Sequence, residues 1–244
     1  GGDAQQLLQS ANTALMEAKH RGRSQLQTYS TTLSLQIRDR LDLDNKLDKA
    51  IAREQLRILI QPQSNRDGQL VGGEVLVRWR DHQGKDIPPS FFIPIAEQSG
   101  LIFPISEWVV NAALEQISQW RQTELITPRL AVNISTRLLE STDRRIAETL
   151  HEALTRHQLK PEHLELEITE TALLQNPIAA SEAVRMLAAE GFHVAIDDFG
   201  TGYSSLEMLR HLPVHKLKID QTFIRNILNS PEDQAIVQAT ITLA

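Results

Sequence analysis

The sequence predicts an α/β protein whose strands curl into a barrel, and two observations support this. Short strand-like runs alternate with longer helical runs from residue 56 onward, which is typical of βαβ units and a parallel sheet. Within the strand runs, apolar residues alternate with a mixed set of polar and apolar ones. The strands of an open, doubly wound sheet tend to be apolar throughout, whereas a barrel tolerates polar groups inside near its mouth. We therefore expect a (β/α) barrel in which the mixed set of side chains, called the inward phase, points into the interior.

The predicted elements follow one another in a regular order. Ser106 has the side chain of a helix N-cap, and Gly191 suits the first residue after a helix. Phe91 and Phe92 are interpreted as core residues of a short helix. The strand runs are LRILIQPQ, VGGEVLVRW, RLAVNIS, HLELEITE, FHVAIDD and HKLKID. The helical runs cover 106–122, 143–157 and 178–190, with a short helix after residue 203 and a last one from residue 221.

Two helical patterns precede the first strand. Apolar residues at helical spacing from Leu7 to Ala18 predict a helix with one buried face. Its partner surface is not found in the rest of the sequence, so residues 1–30 are interpreted as the last helix of a separate domain. A second pattern, from Leu33 to Glu54, predicts a connector. The expected organisation is therefore a remnant over 1–30, a helical linker over 31–50 and a large domain over 51–244.

Composition restricts the class of protein. The 244 residues are 41% hydrophobic, which is enough for one large domain plus a fragment, or for two small domains. No apolar run is long enough to span a bilayer, so we expect a cytoplasmic protein, with any membrane anchor lying upstream. The chain contains no cysteine, which excludes disulfides and thiolate chemistry. A net charge of -6 argues against a nucleic-acid polymer as partner but leaves a small phosphate ligand open.

Polar side chains of the inward phase gather towards the carboxyl ends of the predicted strands, where barrel enzymes hold their active sites. Two carboxylates about 4 Å apart repel by roughly 4 kcal/mol at an effective dielectric near 20. A cluster of carboxylates therefore takes up protons or holds cations. The residues of this phase are Gln61, Glu74, Arg78, Asn133, Glu167, Asp197, Asp198, Lys218 and Asp220.

The oxygen ligands predict a divalent metal site. Without cysteine or a paired histidine spacing, magnesium or manganese is favoured over zinc or copper. Adjacent Asp197 and Asp198 can reach different ions once the chain turns. Two such metals can activate a water and stabilise its in-line attack on a phosphodiester. Arg78 and Lys218 would neutralise phosphate oxygens. The turn itself is expected to need positive φ at Gly200 or Gly202.

Each of these signals also has an ordinary structural explanation. A single carboxylate at a strand end is most often solvated, and Asp197–Asp198 before a glycine-rich stretch can form an Asx turn. Glu165 and Lys216 are interpreted as solvated or as paired with neighbours. The same inward phase in several consecutive strands nevertheless favours a shared site.

Six motifs follow one another along the chain: GGEVLVRW, PPSFFIPIAEQSGLI, AVNIS, LELEITET, AIDDFGTGYSSL and LKIDQTFI. Together they resemble the EAL-domain family of cyclic di-GMP phosphodiesterases, from about residue 51 to the end. Residues 1–30 resemble the closing helix of a GGDEF domain, although the letters GGD at positions 1–3 are not that family's signature.

The resemblance implies a TIM-like (β/α)8 barrel of the EAL type and hydrolysis of one phosphodiester of cyclic di-GMP to linear pGpG. It implies a two-metal site for Mg²⁺ or Mn²⁺, with Glu170 anchoring the loop after Asp198, a region associated with homodimers. Upstream GGDEF or sensory domains are the implied partners. The implied metal ligands are Glu74, Asn133, Glu167, Asp197 and Asp198; the catalytic residues are Lys218, Glu74 and Asp197; the substrate-binding residues are Gln61, Arg78 and Asp220.

Three departures from the family pattern and two alternative functions remain. Ile60 stands where an aromatic residue is common, and Val75 replaces the alanine of the family's name motif. The sequence stops at QAIVQATITLA, so the last two strands of the barrel are expected to be absent and the fragment is expected to have weak or no activity. The alternatives are a non-catalytic cyclic di-GMP receptor and a barrel hydrolase acting on another phosphodiester.

Overall fold

The computed structural model describes residues 43–123, 128–140, 145–202 and 206–243, together with Ala11. The predicted remnant over 1–30, apart from Ala11, and the linker up to residue 42 lie outside the described residues. The strands are β1 Leu56–Ser64, β2 Leu70–Arg80, β3 Asp86–Ile87, β4 Arg129–Asn133, β5 Leu164–Thr169, β6 His193–Phe199 and β7 Lys216–Ile219. The helices are α1 over 43–52, α2 Pro89–Ser99, α3 Ile102–Gln122, α4 Thr136–Glu140, α5 Arg145–His157, α6 Glu170–Gln175, α7 Pro177–Ala189, α8 Leu206–Arg210, α9 Gln221–Arg225 and α10 Pro231–Leu243, with a short 3₁₀ helix at Pro161–His163.

One sheet contains all seven strands in the order β1-β2-β4-β5-β6-β7, with the short β3 beside β2. Strands β2, β4, β5, β6 and β7 are mutually parallel, as predicted. The first strand is an exception, because β1 runs antiparallel to β2 and places Gln61 opposite Glu74. The predicted parallel sheet does not extend to β1, since a short turn joins β1 directly to β2 without a crossover helix.

The sheet curls so that distant strands face one another across its interior. Lys218 on β7 lies 3.0 Å from a carboxylate oxygen of Glu74 on β2, although three strands separate β2 from β7. With neighbouring strands about 4.8 Å apart, a flat sheet would hold β2 and β7 about 19 Å apart, too far for these two side chains. The α/β fold and its barrel-like curvature are therefore confirmed, although the strands do not close into a complete ring within the described residues.

Apolar side chains on the outer face of the sheet pack against the surrounding helices. Leu164, Leu166 and Ile168 alternate with inward residues along β5 and are fully buried. Trp79 of β2 is also fully buried, in an edge-to-face contact with Phe92 of α2 at a ring-centroid distance of 5.6 Å. Each such side chain contributes about 1.5–3 kcal/mol to folding. This apolar layer fixes the strands whose opposite faces carry the polar groups.

Two local predictions need correction, and two short helices were missed. Helix α3 begins at Ile102, so Ser106 lies within it and is not its N-cap. Phe91 is 67% exposed, and only Phe92 of that pair belongs to the core. The short helices α4 and α6 were not predicted. Gly191, in contrast, follows α7 with φ +92°, as expected for a residue that ends a helix. None of the helices in the described part of the chain has the length and apolarity needed to cross a membrane.

Candidate active site

Three carboxylates converge on one ammonium group inside the curled sheet. The Nζ atom of Lys218 lies 3.0 Å from Glu74 Oε2, 2.6 Å from Glu167 Oε2 and 2.8 Å from Asp197 Oδ2. One carboxylate oxygen from each acidic residue falls within 4.8 Å of the other two. The four side chains come from β2, β5, β6 and β7, so the period-two alternation of separate strands brings them together.

Glu167 is the most deeply buried of these carboxylates. Its side chain is completely buried, and its Oε1 atom has no hydrogen-bond partner among the described residues. Burial raises the pKa of Glu167 to about 7, against the opposing effect of Lys218. Burial alone would lower the pKa of Lys218, but its bonds to Asp197 and Glu167 raise it well above the usual value. The three carboxylates therefore favour a cation where they converge, and Lys218 alone does not provide a hydrogen bond to every carboxylate oxygen.

Asn133 extends this cluster from the last position of β4. Its Nδ2 atom donates a hydrogen bond of 3.2 Å to Glu74 Oε1, which leaves the amide oxygen available as a neutral ligand. The parallel pairing places Asn133 beside Glu167 on β5. The predicted ligands Glu74, Asn133, Glu167 and Asp197 thus lie together.

Asp197 and Asp198 separate because the β6–β7 pairing becomes irregular at this point. Pairing is regular up to Ile196 and resumes at Phe199. Asp198 has φ +52°, and its backbone N–H donates to Asp197 Oδ1 at 2.9 Å. The Asp197 carboxylate points into the site while Asp198 is exposed beside Asp220. Burial, Asp197 and Asp220 together raise the pKa of Asp198. Asp198 therefore stands apart from the three-carboxylate cluster, and its role at a second ion stays a prediction.

The loop after Asp198 is tied to Glu170. The buried Glu170 accepts hydrogen bonds from the backbone N–H groups of Gly200 at 2.8 Å and of Gly202 at 3.1 Å. Gly200 has φ +100°, and a Cβ atom there would lie 2.9 Å from the ring of Phe223. The expected positive φ is therefore found at Gly200, where both conformation and space require glycine.

The residues assigned to substrate binding occupy different parts of the surroundings. Asp220 caps α9 by accepting hydrogen bonds from the backbone N–H and the hydroxyl of Thr222, which lower the pKa of its carboxyl. Gln61 is exposed opposite Glu74. Arg78, half-buried, donates from one guanidinium nitrogen to the carbonyl of Val77 at 2.9 Å.

A cleft of about 300 Å³ opens beside the carboxylate cluster. Arg78, Asn133 and Thr169 line it together with apolar residues of β2, α2 and α3. Glu97 of α2 also lines the cleft and accepts a hydrogen bond of 2.7 Å from the Ser135 hydroxyl, just after β4. The sequence analysis did not single out this pair. The only available signal was its place in the motifs FIPIAEQSG and AVNIS.

Comparison with known proteins identifies the family. The family model described as EAL domain matches residues 44–244. The chain belongs to the EAL domain family. Two curated relatives are similar over nearly the whole chain. The cyclic di-GMP phosphodiesterase PdeR of Escherichia coli is 36% identical over 100% of this chain and 36% of that protein. The bifunctional diguanylate cyclase/cyclic di-GMP phosphodiesterase MucR of Pseudomonas aeruginosa is 36% identical over 99% of this chain and 36% of that protein.

A solved structure supports the same assignment for the EAL domain. The PaMucR phosphodiesterase in its c-di-GMP complex superposes with a TM-score of 0.77 at 38% identity, covering 83% of this chain and 81% of that one. The predicted fold class and family resemblance are confirmed. The chain spans about a third of the length of the two curated relatives, at 36% of each.

Proposed function

We propose that this EAL domain hydrolyses one phosphodiester of cyclic di-GMP, releasing linear pGpG, with the help of Mg²⁺ or Mn²⁺. The convergence of Glu74, Glu167 and Asp197 at one point inside the curled sheet carries this proposal. The relatives PdeR and MucR bear the name of this activity, and the superposed MucR domain holds cyclic di-GMP.

The donor set fits a hard divalent cation. Three carboxylates and the Asn133 amide offer oxygen ligands only, which suit Mg²⁺ or Mn²⁺ better than zinc or copper. The Lys218 ammonium already lies where the carboxylates converge, and Glu167 Oε1 still lacks a hydrogen-bond partner among the described residues. Asp198 would belong to a second ion. A bound cation would supply an activated water and neutralise charge on the phosphodiester.

The chain's own residues would orient the substrate beside this cluster. Arg78 faces the adjoining cleft, where its guanidinium can pair with a phosphate in bidentate fashion. Gln61 is exposed next to Glu74 and can donate to a second phosphate oxygen. Lys218 is held by three carboxylates, so its ammonium is kept close to the reacting group. Asp220, at the N-terminus of α9, would contact the substrate, as the resemblance implies.

The test is an assay of the full natural protein with cyclic di-GMP and Mn²⁺, with products separated by chromatography. We expect linear pGpG from the wild type and a fall of about 100-fold or more for E167Q, since even groups that only orient a metal ligand cost about 10–100-fold. The matched control is E182Q, which makes the same substitution at an exposed position of α7.

The outcomes separate the possible functions. Binding of cyclic di-GMP by a folded protein without metal-dependent turnover would overturn the proposal and favour a receptor. Turnover of a different phosphodiester in preference to cyclic di-GMP would instead favour another hydrolase. The homodimer through the loop after Asp198, the upstream partner domains and the cytoplasmic location stay predictions.

A further inference from the structure

A second charged cluster lies inside the sheet, separate from the three carboxylates. The carboxylate of Glu165 on β5 forms an ion pair with Lys216 Nζ on β7 at 2.5 Å, and its side chain is only 4% exposed. The same ammonium lies 3.3 Å from Gln63 Oε1 on β1. We call Gln63, Glu165 and Lys216 the lower brace. Neither the catalytic nor the metal-binding assignments use these residues.

The lower brace repeats the arrangement of the active site one layer away. Glu165 and Glu167 lie two residues apart and point to the same side of β5, and Lys216 and Lys218 do the same on β7. Two ion pairs therefore connect β5 and β7 across the intervening β6. The two layers share the same pair of strands, so a shift of one pair moves the other.

Small residues make room for these long side chains. Ala195 of β6, fully buried, lies between Glu167 and Lys216 in the pairing and presents only a methyl group to the interior. Gly72 lies opposite Gln63, and a Cβ atom at Gly72 would come within 3.0 Å of Gln63 Oε1. The interior is thus shaped to accept the three polar groups of the lower brace.

Backbone pairing alone does not fix Lys218. The β6–β7 ladder pairs Ala195 with Lys216 and Ile196 with Leu217, and is then interrupted until Phe199 pairs with Ile219. Lys218 lies within this interruption. Two residues before it, Lys216 lies in a regular pair with Ala195 and is also tied to β5 and β1 through its ammonium group.

We propose that the lower brace positions Lys218 for the reaction by fixing β7 against β5 just before the ladder is interrupted. Lys216 and Glu165 are positioning residues in this proposal, because they act through the location of Lys218 and not on the substrate. The kinetic part of the argument rests on the proposed phosphodiesterase function. The structural part, the place of the Lys218 ammonium, does not.

The decisive variant is E165L/K216M in the full natural protein. Replacing a buried ion pair by apolar residues of similar volume commonly preserves stability, whereas K216M alone would strand a buried carboxylate. We expect kcat for cyclic di-GMP to fall about 10-fold or more with KM within about twofold, because a displacement near 1 Å can cost up to about 100-fold. A crystal structure should show Lys218 Nζ withdrawn from at least one of its three carboxylates.

Two controls bound the result. K216R keeps a cation in the lower brace and should retain kcat within about threefold, and K85M removes an exposed lysine with no expected effect. A folded E165L/K216M variant with wild-type kcat, or with lowered kcat and an unmoved Lys218, would overturn the proposal. If the wild type itself shows no turnover, the proposed function fails, and the position of Lys218 in the variant crystal still decides the positioning role.

Discussion

Replacing Gly200 by alanine should destabilise the domain through two separate effects. The backbone at φ +100° is one that L-residues rarely adopt, and left-handed backbone costs an L-residue about 1–2 kcal/mol. The added Cβ would also lie 2.9 Å from Phe223 Cε2 and 3.2 Å from Ile236 Cγ2. Overpacking of this kind costs about 1–3 kcal/mol. G200A should therefore lower the free energy of unfolding by about 2–5 kcal/mol in total.

The matched control is G84A in the turn between β2 and β3. Gly84 has φ +78°, but nothing lies within 4 Å of its would-be Cβ, so only the conformational cost of about 1–2 kcal/mol applies. Urea denaturation followed by the fluorescence of the three tryptophans, all between residues 79 and 120, measures both variants. If G200A costs no more than G84A, the packing of the loop against Phe223 and Ile236 does not constrain Gly200.

Three further perturbations test other parts of the structure. Burial, Arg129 and His215 lower the pKa of His193 below 6.5, so its stabilising effect is present above that value and is lost as pH falls. Between pH 7.5 and 5.5 the urea midpoint of the wild type should therefore fall relative to that of H193Q, and parallel pH curves for the two proteins would contradict this. E170Q weakens the charge-assisted hydrogen bonds from the Gly200 and Gly202 N–H groups and should lower the free energy of unfolding by about 1.5–3 kcal/mol. If hydrogen exchange shows both amides as protected as in the wild type, Glu170 does not anchor the loop. D198G relieves the strain of a left-handed backbone at Asp198 and should raise the free energy of unfolding by about 1 kcal/mol, while lowering Mn²⁺-dependent turnover. An unchanged urea midpoint would show that the backbone of Asp198 is not strained.

The inward phase of the strands could be predicted because strand side chains alternate strictly. Glu74, Glu167, Asp197 and Lys218 were all assigned to one site from their places in separate runs, and the structure brings them together. The alternation of side chains does not show at which depth of the interior a polar residue lies. An ion pair of Glu165 was therefore only one of the ordinary explanations considered for this residue. Pairing between β5 and β7 depends on the curvature of the whole sheet.

The direction of β1 was missed although the sequence carries a signal for it. Asp67–Gly68 lies between two alternating runs, and an Asp-Gly pair in that position favours a tight hairpin. Gly68 has φ +78° in the turn. The start of α3 was missed because Ser106 resembles an N-cap, whereas Pro104 two residues earlier already suits a first helical turn. The left-handed Asp198 follows from the interrupted ladder, which local sequence does not reveal.

The reversal of β1 changes where the chain enters the barrel. In a barrel made only of parallel strands, the first strand would start at the end far from the candidate active site. Here β1 starts at the opposite end: Leu56 pairs with Trp79, and Arg57 lies directly across from Arg78. Helix α1, anchored by its buried Leu47 and Ala50, is therefore attached to the end of the sheet that carries the candidate active site. The end of this helix is thus linked through Arg57 and a single cross-strand pair to Arg78, which lines the cleft.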